Sequence, residues 1–130
     1  MKVRTENDIL NAMEYTNLLA ESIGFSPKEQ ILLRLVTEEA LVNALEHGST
    51  DKHGEVEVAW EIEKKTIELA VKQEGHFFKL ESLEPSTFAL RGRGLSLILG
   101  IMDRVWLEEE SGKVILYMRK HFKEEGKKRA

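Results

Sequence analysis

The stretch 39-EALVNALEHG-48 decides how this chain is read. Glu39, Asn43 and His47 recur every four residues and line one face of a helix, while Ala40, Leu41, Val42, Ala44 and Leu45 fill its flanks. A solvated surface accounts for an isolated polar seam. Here apolar groups border the seam on both sides, so the carboxylate and the amide are expected to be partly buried and to need partners. A hydrated divalent cation carrying phosphates satisfies both, because magnesium prefers oxygen ligands and keeps several waters; one amide oxygen and one nearby carboxylate suffice. A carboxylate one turn away would also polarise a water or hydroxyl for attack on phosphorus.

Outward from this stretch, the helix has a written start at 26-SPKE-29, where Ser26 caps, Pro27 suits the first helical position and Glu29 completes a capping box. Ile31, Leu35, Val42 and Leu45 are expected to form its buried stripe, and Gly48 ends it after His47. An earlier helix is expected over about Asn7 to Ile23, with Asn7 as cap, Gly24 as stop, and Leu10, Met13, Leu18, Leu19 and Ile23 turned inward. After the turn-rich 48-GSTDKHGE-55, Val56, Val58, Trp60 and Ile62 alternate with polar residues, as do Ile67, Leu69 and Val71 beyond the turn 63-EKK-65; this predicts an antiparallel hairpin. The stretch from His76 to Arg93 has no sustained period and contains Pro85, which predicts a loop. A helix over about Gly94 to Met102 then leads into two strands, 104-RVWLEE-109 and 113-KVILYMRK-120, joined at Ser111-Gly112. Trp60 and Trp106 lie on strands and are expected to pack on the sheet. The order helix, helix, hairpin, loop, helix, hairpin predicts an α+β two-layer sandwich with helices on one face of a mainly antiparallel sheet.

Composition agrees with one globular domain. A length of 130 residues, with 42% hydrophobic and 32% charged residues, suffices for a core without staples, and no apolar run reaches the roughly 18 residues of a membrane span. The start MKVRTEND lacks an apolar secretory region, and the absence of cysteine excludes disulfides and thiolate metal sites; a cytoplasmic location is expected. A net charge of -4 gives no general attraction to nucleic acid or anionic lipid. The last stretch, 119-RKHFKEEGKKRA-130, is locally basic and reads as a solvated, frayed end; the domain is assigned to 1–122 and the tail to 123–130.

A second constellation, 91-RGRGLSL-97, pairs Gly92 and Gly94, which let backbone approach a ligand, with Arg91 and Arg93 at the start of a helix whose free amides favour an anion. Glycine pairs are often ordinary turns, but two guanidinium groups opposing a helix dipole are better explained by an anion or by water.

With Glu39, Asn43, Ala44, His47 and Gly48 in the pattern E-x-x-x-N-A-x-x-H-G, followed by 91-RGRGL-95 and 102-MDRV-105, the chain resembles the GHKL ATPase superfamily over roughly residues 5 to 122, and within it the small bacterial anti-sigma-factor serine kinases. The resemblance implies the GHKL (Bergerat) fold, ATP and magnesium as cofactors, Asn43 as metal holder and Glu39 as general base. It also implies a nucleotide site that includes His47, Gln73, Gly75, Arg91, Gly92, Arg93, Gly94 and Leu95. The family carries Asp-x-Gly at the end of the second hairpin strand, whose Asp accepts the adenine amino group, and this chain has 73-QEG-75. A glutamine oxygen accepts the same bond but is neutral, and loss of a charged acceptor costs about 1.5 to 3 kcal/mol, roughly ten- to hundred-fold in affinity.

Two activities therefore stand open. One is an ATP- and magnesium-dependent protein serine kinase that phosphorylates an anti-anti-sigma (STAS) partner and sequesters a sigma factor. The other is a binding module that kept the fold, lost the chemistry and acts by partner exchange. A histidine-kinase ATPase domain is disfavoured for want of a dimerisation helix pair. Phe77, Phe78, Leu80, Leu83, Phe88 and Leu90 of the loop, with Arg91, are expected to dock the STAS partner, and the end of the first helix to serve self-association as a homodimer or sigma binding.

Overall fold

The computed structural model describes residues 1–48, 55–74 and 94–123. Two long helices, α1 (Glu6–Ile23) and α2 (Pro27–Gly48), lie against a five-stranded sheet of β1 (Lys2–Val3), β2 (Val56–Glu63), β3 (Thr66–Glu74), β4 (Arg104–Glu110) and β5 (Lys113–His121). Residues 94–101 are helical as well and are called α3. The sheet order is β1-β2-β3-β5-β4, with every neighbouring pair antiparallel. This is the expected α+β two-layer architecture.

Local chemistry sets the helix ends. The Ser26 hydroxyl accepts from the Glu29 amide at 3.2 Å and the Glu29 carboxylate accepts from the Ser26 amide at 3.2 Å, the reciprocal box that starts α2. In α1 the cap is Thr5, not Asn7: its hydroxyl accepts from the Asp8 amide at 3.1 Å, and the Asp8 carboxylate accepts from the amides of Arg4 at 2.8 Å and Thr5 at 3.1 Å. Three bonds made two residues upstream outweigh the single one that Asn7 offered. Gly24 terminates α1 in the left-handed region, at φ 116°, as its sequence position foretold.

The buried helix faces match the expected stripes in part: Met13, Leu19, Ile23, Val42 and Leu45 pack partly buried against the core, but others turn outward. Leu10, Leu18 and Ile31 are 55%, 58% and 62% exposed; the inward faces are Ile9, Ala12, Thr16 and Ala20 on α1 and Leu33, Val36, Thr37, Ala40, Leu41 and Ala44 on α2. Leu10, Leu18 and Ile31 give up the inward positions because both inward faces are rich in alanine and threonine, which let the two helices and the sheet approach closely.

Strand alternation holds as expected except at Ile62, near the end of β2, which is exposed. Val56 and Val58 of β2, Ile67, Leu69, Val71 and Gln73 of β3, and Val114 and Met118 of β5 are buried on the helix side. Ser111 and Gly112 take consecutive positive φ values of 53° and 78°, the turn that matches the twist of the β4–β5 hairpin. The short strand β1 carries no periodicity that sequence could reveal; it pairs Lys2 with Glu57 and Val3 with Val56.

The locally basic end is in part built into the fold. Arg119, Lys120 and His121 belong to β5, and Arg119 donates to Glu68 Oε1 at 3.1 and 2.6 Å. Phe122 meets Phe25 edge-on at 5.6 Å. Residues from 124 onward, and with them most of the assigned tail, lie outside the described residues. Among the described residues no helix is long and apolar enough to cross a membrane.

Candidate functional site

Two contacts set the direction of α2 over the sheet. Phe25, just before α2, packs on Phe122, whose amide donates to Lys65 O at 2.7 Å at the start of β3. Midway along, Thr37 of α2 bonds Thr16 at 2.9 Å, and Thr16 accepts from the indole of Trp60, the residue paired with Leu69 in mid-β3. Helix α2 and strand β3 therefore run the same way. The second half of α2, with Glu39 and Asn43, lies toward the end of β3 that carries Gln73.

The Thr16–Thr37 pair was not anticipated, and it has one consistent polarity. Trp60 Nε1 donates to Thr16, Thr16 donates to Thr37, and Thr37 donates to Leu33 O at 2.8 Å. A threonine inside an otherwise apolar helical run was the only sequence sign of it. This buried relay ties α1, α2 and β2 together two residues before Glu39.

Gly94 connects this helix to the second glycine stretch. A β-carbon placed on Gly94 would stand 2.7 Å from Glu39 Oε2 and 3.2 Å from Asn43 Nδ2. Backbone thus sits directly on the carboxylate and the amide, and only glycine leaves room for both. The backbone of Gly94 does not have a left-handed φ, so space rather than torsion demands glycine here. Helix α3 holds that backbone in place. Leu95, Ile98 and Met102 are buried, Lys120 Nζ donates to Ile101 O at 2.9 Å, and the Asp103 amide donates to Arg119 O at 2.9 Å.

Glu39 and Asn43 are half-buried, and neither side chain has a hydrogen-bond partner among the described residues. Their oxygens are the hard donor set that a partly hydrated magnesium ion accepts. Gln73 is 5% exposed on the helix side of β3, with Val56 and Val114 as its cross-strand neighbours. His47 stands in the last turn of α2, and its side chain lies outside the described residues, as do Gly75, Arg91, Gly92, Arg93 and the apolar loop residues between Phe77 and Leu90. Leu95 buries its side chain, so any ligand contact there would be made by backbone. A shallow hollow of about 300 Å³ floored by Ala59, Ala70, Ile115 and Tyr117 opens on the opposite face of the sheet, away from Glu39 and Asn43.

Known proteins share the sequence pattern and the fold. The chain is 28% identical to serine-protein kinase RsbW of Oceanobacillus iheyensis over 138 aligned positions, covering 96% of this chain and 87% of that protein. It is 29% identical to serine-protein kinase RsbW of Bacillus subtilis over 125 positions, covering 86% and 78%. The fold is shared with the catalytic domain of histidine kinase ThkA in two nucleotide-free crystal forms. One has a TM-score of 0.55 at 20% identity over 71% of this chain and 67% of that chain, the other 0.50 at 13% identity over 93% and 95%. The family model described as histidine kinase-like ATPase domain matches residues 4–120, which takes in α1, α2, the contact of Gly94 with Glu39 and Asn43, and nearly all of β5; the chain belongs to that family.

Proposed function

We propose that this protein binds ATP with magnesium and transfers the terminal phosphoryl group to a serine of a small STAS-like anti-anti-sigma protein, and that it sequesters a sigma factor in the alternate state. The observation that carries the proposal is the contact of Gly94 with Glu39 and Asn43, because it brings a carboxylate, an amide and closely approaching backbone to one point. The name shared by the two relatives, serine-protein kinase, supports the same reaction. Asn43 would hold magnesium through its amide oxygen. The chemistry a magnesium ion would supply there is to offset the negative charge that develops on the phosphate oxygens. Glu39 would take the proton from the serine hydroxyl as the Oγ–P bond forms and the bond from phosphorus to the β,γ-bridging oxygen breaks, with ADP leaving. Half-burial of Glu39 keeps the carboxylate within reach of a bound hydroxyl and partly shielded from water.

A second reading has one observation in its favour. Gln73 offers a neutral amide where the resemblance expects a carboxylate, and a binding module without phosphoryl transfer would tolerate that change. For either activity, self-association or a sigma contact near the α1–α2 turn would draw on Leu18 and Ile31, both large, apolar and exposed.

The two are separated by titrating the protein with magnesium and ATP and following transfer to a co-purified partner. Asn43→Ala is expected to weaken magnesium-dependent binding, while Glu39→Ala spares binding and abolishes transfer. Unchanged transfer in Glu39→Ala would remove the general-base role, and absence of ATP binding in the unmodified protein would leave the binding module.

A further inference from the structure

Among the described residues three polar side chains are buried, Thr16, Thr37 and Gln73. The threonines satisfy each other within the relay from Trp60 to Leu33. The Gln73 side chain has no hydrogen-bond partner among the described residues, although the residue is only 5% exposed. No fully sealed side-chain nitrogen or oxygen among them lacks a partner, so the Gln73 amide must border accessible space. Burial of an amide without a protein partner is costly, and such a group is aimed at a ligand, ordered water or both. Its position is at the end of β3 over which the Glu39–Asn43 half of α2 lies.

Glu39, Asn43 and Gly94 suit the charged part of a nucleotide, and a neutral amide in an apolar setting suits its neutral base. We propose that Gln73 reads the nucleobase and, being an amide, accepts guanine as well as adenine, so that the site takes purine nucleoside triphosphates with little preference between ATP and GTP. This rests on the nucleotide reading above.

The reason lies in donor and acceptor order. Adenine presents an amino donor at N6 beside an acceptor at N1, whereas guanine presents an acceptor at O6 beside an N1–H donor. A carboxylate only accepts; where the 6-position of the purine faces it, as the adenine amino group does, it meets guanine O6 acceptor against acceptor, and it could take guanine's N1–H and N2–H only if the base shifted in the site. A glutamine amide carries one donor and one acceptor in a plane, and a half-turn of its terminal torsion exchanges them. The cross-strand neighbours Val56 and Val114 are both buried and offer no side-chain hydrogen bond that would lock either orientation. Discrimination by a buried polar group depends on leaving the wrong partner unpaired, and a group that can re-pair discriminates poorly.

The test is calorimetric titration of the whole chain with magnesium-ATP and magnesium-GTP, repeated on Gln73→Glu, which keeps the side chain's size and removes its donor. In the unmodified protein the two dissociation constants are expected within about fivefold of each other, and Gln73→Glu is expected to favour ATP by about 30-fold or more. Should a buried carboxylate of that length unfold the chain, as judged by thermal melting, Gln73→Asp makes the same comparison with a shorter acceptor. A strong ATP preference in the unmodified protein, or a ratio unmoved in both folded variants, overturns the assignment while leaving a nucleotide site intact. Binding of neither nucleotide to the unmodified protein or to its variants overturns the nucleotide reading itself.

Discussion

Replacing Gly94 with alanine is expected to leave the fold standing and disable the site. The added methyl would sit 2.7 Å from Glu39 Oε2, while ordinary contact begins near 3.4 Å, so the carboxylate must retreat by about 0.7 Å, the difference between the two. Asn43 Nδ2, at 3.2 Å, must give by a smaller amount. The displaced atoms are the ends of flexible side chains rather than backbone, so the fold need not move. Turning Glu39 off its preferred rotamer costs about 0.5 to 1.5 kcal/mol, and alanine in place of a helical glycine returns about 0.5 to 1 kcal/mol. The net change in stability stays within about 1 kcal/mol, a shift in melting temperature of less than about 5 °C for a domain of this size. Phosphoryl transfer is far more sensitive, because misplacing a reacting group by about 1 Å costs on the order of 100-fold. The assay is single-turnover transfer from γ-labelled ATP to the serine of the proposed partner, run beside a thermal melt and a nucleotide titration. A wild-type transfer rate would show that the position of Glu39 is immaterial. A melting temperature lowered by more than about 10 °C would show that Gly94 serves the core and not the site.

Thr16→Val keeps the shape of the buried relay but removes the acceptor of the Trp60 indole and the donor to Thr37; urea denaturation followed by tryptophan emission should show a loss of about 1 to 3 kcal/mol, and an unchanged midpoint would mean that the relay adds nothing to stability. For the α1 cap, the hydrogen bond from the Arg4 amide, with those from Thr5, holds the Asp8 carboxyl below its ordinary value of 3.8, so its contribution is present above that value and lost as pH falls through the lower folded one. Asp8→Ala should therefore lower the urea midpoint at pH 7, with the deficit shrinking once the medium falls below pH 3.8; a deficit equal at both ends of that range would contradict the linkage.

Features set by neighbours in the chain were legible in sequence. The Ser26–Glu29 box, the Gly24 stop, the β2–β3 hairpin and the Ser111–Gly112 turn each depend on residues a few positions apart, whose preferences act before any tertiary contact forms. The polar seam of Glu39 and Asn43 was legible for the same reason, since helical spacing alone puts them on one face. Which face of each helix turns inward was legible only in part, since Met13, Leu19, Ile23, Val42 and Leu45 pack against the core while Leu10, Leu18 and Ile31 do not. It follows from how closely α1, α2 and the sheet approach, and alanine and threonine win those positions from Leu10, Leu18 and Ile31 by being small.

The sequence by itself determined the fold class, the family resemblance and the residue types of the site, because periodicity, caps and motif order are written in local spacing. Only the tertiary structure decided that Gly94 stands against Glu39 and Asn43, that Thr16 and Thr37 are joined to Trp60, and that Gln73 is a buried amide without a partner among the described residues. Those contacts join residues more than twenty positions apart, or depend on what surrounds a side chain in space. Local propensity does not encode them; they arise when α2 settles parallel to β3 and α3 is pinned beside it.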